Sequence, residues 1–430
     1  ALDANTTGAH NTALGSAAGG AITTGLYNSF IGSLAGDGLI DADYNVALGF
    51  GSLTSDTYGS LSVAIGARTL QSQNFTSATN TYNVAVGHGA GLSVTTGIGN
   101  TLIGGESGDA LTDADYNVAV GYLALGADNL GSNSTAIGTS ALRNQNFTSA
   151  TNVYNVAVGY NSGTAVTTGT ANTFIGGRAG DATTTGSTNV AVGTDALGSN
   201  TTASNNVAIG YDCLVANTTG ATNTALGTSS LATNTTASNN TAVGHGALTA
   251  NTTGTRNNAL GNLSLVANTT GDNNVALGSQ TLQANTTADD NTAVGYAALN
   301  VNTTGANNTA VGKFAGLAVT TGGYNTLVGS LAGDSITTAA NNVALGYLAG
   351  SAITTGAQNT ALGSGALSST TTGLYNIGVG YDANSSSATV TGQCTLGDTN
   401  ITNLRCNDQT ISSLSDSRDK TDVIDSPYGL

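Results

Sequence analysis

The 430-residue chain has no methionine, one proline, three cysteines and so few charges that Asp, Glu, Lys and Arg together make up 7% of it. Each scarcity excludes something. Disordered chains are usually rich in charge and proline, and here the one proline, Pro427, lies near the C-terminus. Cys213, Cys394 and Cys406 are too few and too far apart for a disulfide framework or a Cys-x-x-Cys metal site. Net charge is −16, and Arg68, Arg143, Arg178, Arg256 and Lys313 are scattered singly, which leaves no basic stripe for nucleic acid. No apolar run is long enough for a membrane-spanning helix, and the N-terminus has no signal-peptide pattern. Without a methionine at position 1, the chain is expected to be a fragment or a processed product whose N-terminal part carries its attachment.

What is abundant is repetition. A pattern close to Asn-x-Ala-(Val/Leu/Ile)-Gly recurs 22 times, from Asn11–Gly15 to Asn376–Gly380, and 19 of the 21 intervals between copies are 17 residues. That period is too short for helical repeats and too strict for scattered globular strands, so each repeat reads as one coil of a stacked β-structure. The expected fold is all-β: a parallel β-roll or β-solenoid of about 22 stacked 17-residue coils, packed or intertwined as a homotrimer. The two exceptions are 21-residue coils carrying near-identical inserts, Asn74–Asn80 and Asn146–Asn152, set 72 residues apart. Insertions that preserve the following register predict two loops protruding from one edge of the rod.

Within a coil, counting the motif Asn as position one, residues 240–243 alternate as a short strand and Gly244 bends it. Ala247-Leu248 is expected to start a second strand, and Asn-Thr-Thr-(Gly/Ala) turns the chain back. In a parallel stack the same side chain recurs every ~4.8 Å, so the position-one Asn predicts an amide ladder along the axis. The many Asn-x-Thr triplets match glycosylation sequons, but periodic stacking accounts for them without sugar. Position eight is always Ala, Ser, Thr or Cys, which marks Cys213 as a small buried residue. Position nine is Leu in 12 coils and Gly in nine. When nine is Gly, position twelve is usually Ile, Val or Leu, as in Gly19 with Ile22; when nine is Leu, twelve is polar, as in Leu214 with Asn217. Such volume compensation predicts that both positions point inward.

Thirteen of the 15 tyrosines sit either just before the motif Asn or just after the motif Gly. Such rows suit coil edges or a partner chain, with the hydroxyl in water; exposed aromatic rows also bind sugars or surfaces. His88 and His245 share the second position with Tyr and read as members of that row. The acidic groups Asp37, Asp41, Asp43 and Asp109, Asp113, Asp115 occupy equivalent coils and are the sole candidate Ca²⁺ ligands, but solvated turn aspartates explain them better, and no metal is expected. No cofactor is expected, and no Ser/His/Asp set or phosphate loop occurs in the repeats.

The Asn-x-Ala-(Val/Ile)-Gly-x-x-(Ala/Ser) coil resembles the parallel β-roll heads of trimeric autotransporter adhesins over residues 5–384, with coils longer than that family's. At the other end, Leu404-Arg405-Cys406, Ile411–Leu414 and Ser415-Asp416-Ser417-Arg418-Asp419-Lys420 resemble the start of the self-cleaving intramolecular chaperone of endosialidases and phage tail fibres. That resemblance implies Ser415 as nucleophile and Lys420 as general base, in a domain that trimerises the fibre before cutting itself off. Most of the domain would lie beyond Leu430, so the chain as it stands is not expected to cut itself.

The division expected is a repeat shaft over 1–384, a β-rich connector over 385–414 and a truncated chaperone start over 415–430. The function expected is a phage tail-fibre or appendage shaft in a virion. Its partners would be two further copies of itself, a host-surface receptor with glycan as one candidate, and other virion proteins through the N-terminal part. The alternatives are a bacterial surface adhesin and, from another class, an ice-binding or polysaccharide-degrading solenoid. The first of those last two needs a regular Thr array, which Asp113 interrupts, and the second needs paired carboxylates in a groove.

Overall fold

The computed structural model describes residues 1–403. Over them the chain is an all-β parallel solenoid of about 23 turns. Each turn contributes one three-residue strand at positions two to four, from Thr12–Leu14 to Cys394–Leu396. Successive strands pair parallel and in register, as where Thr241, Ala242 and Val243 face Asn258, Ala259 and Leu260. Together they form one 23-stranded sheet, roughly 105 Å long at ~4.8 Å per turn.

The second strand expected at Ala247-Leu248 is absent; a turn stands there. The reason is backbone handedness. Asn239, Gly246 and Leu248 have φ of 63°, 67° and 52°, and left-handed residues bend a chain rather than extend it. The same three positions are left-handed in coil after coil, and hydrogen bonds between turns continue through the bends, as from Leu248 N to Ser264 O (3.0 Å). Gly244 is required for a different reason. With φ of 133°, a Cβ there would lie 2.5 Å from the carbonyl oxygen of Gly261 in the next turn.

Strand alternation sends position three inward, where Ala242 and its equivalents from Phe30 to Gly378 are buried. Positions eight, nine and twelve complete the interior, as the sequence pattern predicts: Cys213, Leu214 and Asn217 are all fully buried. The expected Asn ladder is present at position one. Asn274 donates its backbone N–H (3.0 Å) and its Nδ2 (3.1 Å) to Asn257 Oδ1, and Nδ2 also reaches Ala288 O at 2.8 Å.

A second ladder stands at position twelve. Nδ2 of Asn217, Asn234, Asn251, Asn268, Asn285 and Asn302 each donates to Oδ1 of the Asn one turn earlier, at 2.8–3.1 Å. These are the asparagines of the Asn-Thr-Thr triplets, so in those six sequons the side chain that would carry a sugar is buried within the core.

The inserts break the first ladder and repair it. Ser62 replaces Asn in the coil that carries the first insert, and its side chain is too short to span a turn. Gln73 fills the gap, donating Nε2 to Ser62 Oγ (2.9 Å) and accepting from Asn83 Nδ2 (2.9 Å). The same Nε2 donates to buried Asp56 (2.6 Å), whose other oxygen accepts from Gly59 N and Phe75 N. Gln145, Ser134, Asn155 and Asp128 repeat the arrangement at the second insert. Most of each insert is stitched down: Thr79–Asn80 pairs with Gly59–Ser60 and Thr151–Asn152 with Gly131–Ser132. Thr76-Ser77-Ala78 and Thr148-Ser149-Ala150 are left as exposed tips.

Candidate interaction surfaces

The surface of the solenoid is organised in rows because every exterior position recurs once per turn. Both tyrosine rows are exposed: Tyr27, Tyr44, Tyr82, Tyr116, Tyr154, Tyr324 and Tyr375 before the motif Asn, and Tyr122, Tyr160, Tyr211, Tyr296, Tyr347 and Tyr381 after the motif Gly. Where aromatic residues follow one another in the first row they stack, with ring centroids 4.8 Å apart for His10 and Tyr27 and 4.9 Å for Tyr27 and Tyr44. His88 and His245 lie exposed in the second row, as their positions predict.

The acidic groups are dispersed by the same geometry. Thr24 Oγ1 donates to Asp41, and Asp43 Oδ1 accepts from Leu26 N at 2.7 Å; Asp113 and Asp115 repeat these roles with Thr96 and Ile98. They cap neighbouring turns. Asp37 and Asp109 stand elsewhere in the coil, each with Oδ1 buried and without a hydrogen-bond partner, and burial raises both carboxyls above the ordinary range. Among the described residues no three His, Cys, Asp or Glu side chains come together as a metal site. Nor is any helix there long and apolar enough to cross a membrane.

Cys213 donates to Ala225 O (3.2 Å) from the core, and burial pushes its thiol up to about 11. Cys394 is exposed on the last strand. Arg178 and Asp195 form an exposed ion pair one turn apart, which holds the Asp195 carboxyl below its ordinary value. Ser415 and Lys420 lie outside the described residues.

One surface is only partly legible in the sequence, where rows of Val call for a partner but the strand face that carries them is undefined. Positions two and four flank the buried Ala and so share the outer face of the sheet. Position four is Val, Ile or Leu in all 23 strands, and none of these side chains is buried. Leu14, Leu260 and Leu396 are 68%, 50% and 51% exposed, high values for leucine. Period-two alternation held the signal. It was hidden because an inward Ala between two outward aliphatics reads, without the coil geometry, as one apolar run.

Comparison with known proteins finds no family model that matches the chain and no curated protein that matches it.

Proposed function

We propose that the chain is the shaft of a homotrimeric fibre, of the kind that phage tails use to reach a host surface, with assembly directed by a C-terminal intramolecular chaperone. The observation that carries this reading is the order of parts: an unbroken solenoid of about 23 turns, followed by Ser415-Asp416-Ser417-Arg418-Asp419-Lys420. A long stack held by parallel pairing and two Asn ladders is a spacer. It offers length and stiffness. In this reading the insert tips are the surfaces presented to a receptor.

The test is assembly and processing together. Particles of the protein expressed with its complete C-terminal domain should be rods in electron micrographs and trimers by analytical ultracentrifugation, cut beside Ser415. Ser415→Ala and Lys420→Ala should leave the fibre uncut and still trimeric, because trimerisation depends on the chaperone's fold and cutting on the pair. Normal cleavage in both variants removes the catalytic assignment; a monomer removes the fibre reading.

A further inference from the structure

We infer that the outer face of the sheet, the columns formed by positions two and four, is the surface through which copies of this chain meet. The inference rests on the trimeric reading above and adds which face is buried. Its composition comes first. Over 23 strands position four is wholly aliphatic, and position two is Val, Thr, Ser, Asn, Ile or Cys, so no charge interrupts either column. Size comes next. Two columns ~7 Å apart along roughly 105 Å make an uncharged strip on the order of 1,000 Å², apolar throughout at position four and at about half of position two. Monomeric proteins rarely expose contiguous apolar patches above a few hundred Å², while a stable protein interface buries about 800 Å² per partner.

The occupant follows from shape. A straight strip one or two side chains wide, repeating every ~4.8 Å, is matched along its whole length by a surface with the same repeat, and a second copy has that surface. The tyrosine rows before and after the strand supply what an interface rim needs, an apolar ring beside a hydroxyl left in water. Thr at position two keeps that column compatible with the edge of the contact, so the position-four column is placed nearest the shared axis.

The experiment uses the assembled protein with its C-terminal domain, with Cys394→Ser and Cys406→Ser as background. Leu260→Cys should form intersubunit disulfides under mild oxidation, and Thr253→Cys, on an exposed bend of the preceding coil, should not. In parallel, Leu226→Asp with Leu260→Asp should convert trimers to monomers with an unchanged circular dichroism spectrum, while Thr253→Asp with Thr270→Asp should leave trimers intact. A wild-type protein that sediments as a monomer overturns the trimer and this inference together. A wild-type trimer in which Leu260→Cys does not cross-link overturns the face alone. Should the Asp pair prevent folding, the cysteine result decides.

Discussion

Gly36 is glycine because Phe30 occupies the space its side chain would take: a Cβ at Gly36 would lie 2.6 Å from both Cδ1 and Cε1 of the Phe30 ring. Gly19, one turn earlier, meets the other side of the ring at 2.7 Å from Cδ2. The arrangement recurs with Leu102 between Gly91 and Gly108, Phe174 between Gly163 and Gly180, and Leu327 between Gly316 and Gly333. Volume is thus shared among positions three, nine and twelve across adjacent turns, and the pairing of nine with twelve seen in the sequence is one part of it.

Gly36→Ala should therefore destabilise the protein by ~2 kcal/mol or more, from the ring clash and from a left-handed φ of 59°. In a Phe30→Ala background the clash is gone and only the backbone cost, ~1 kcal/mol, should remain. Denaturant unfolding of the four proteins in this cycle measures the coupling. Additive effects would show that the two positions do not share one space.

The position-twelve ladder changes what a compensating mutation can do. Leu248→Gly opens a cavity worth ~2–5 kcal/mol, and from the sequence alone Asn251→Ile looks like its repair. In the structure Asn251 receives Nδ2 of Asn268 and donates to Asn234, so Ile would leave buried amide groups unpaired. The double variant should be no more stable than Leu248→Gly. Asn251→Ala alone should cost about 2–3 kcal/mol, and Asn302→Ala less, because Asn302 Oδ1 already lacks a partner and only one link is broken. Equal unfolding midpoints for the two Ala variants would contradict a ladder.

These cases show what the sequence makes legible. Anything that repeats with the coil could be read: the parallel stack, the Asn column, the inward-facing positions eight, nine and twelve. Conformation without a residue signature could not. Leu248 and Asn239 adopt left-handed φ although neither is glycine, so the residue pattern suggests a second strand where the chain bends. The Gln73 relay was equally hidden, since Ser62 and Gln73 are 11 residues apart and their contact exists only once the chain has gone round the coil.

The two described cysteines should differ sharply in reactivity. In a Cys406→Ser protein that also carries Leu226→Asp and Leu260→Asp, and so is expected to be monomeric, a thiol reagent at pH 8 should label Cys394 within minutes and leave Cys213 untouched until denaturant is added. Burial both hides the Cys213 sulfur and disfavours its thiolate. Labelling of two thiols in the native protein would mean that the core around Cys213 opens readily.

Four aspartates give the last prediction. Asp37, Asp109, Asp181 and Asp334 follow the Gly at position nine in the four coils whose position three is Phe or Leu, and burial raises each carboxyl above its ordinary value. A carboxyl raised on folding binds its proton more tightly in the native state than in the unfolded one. Between the two values the native state therefore carries more protons, and stability falls as pH rises. All of that loss is in place at neutral pH, above the folded values. Asp195 has the opposite sign, since Arg178 lowers it, but that pair is exposed and screened. Replacing all four raised aspartates with Asn should leave the protein at least as stable at pH 7. Relative to that variant, the wild type should gain stability as pH falls from 7 toward the ordinary carboxylate range. Thermal unfolding of both proteins across that range checks the sign: a wild type that gains nothing relative to the variant would show that these carboxyls are not held above their ordinary values.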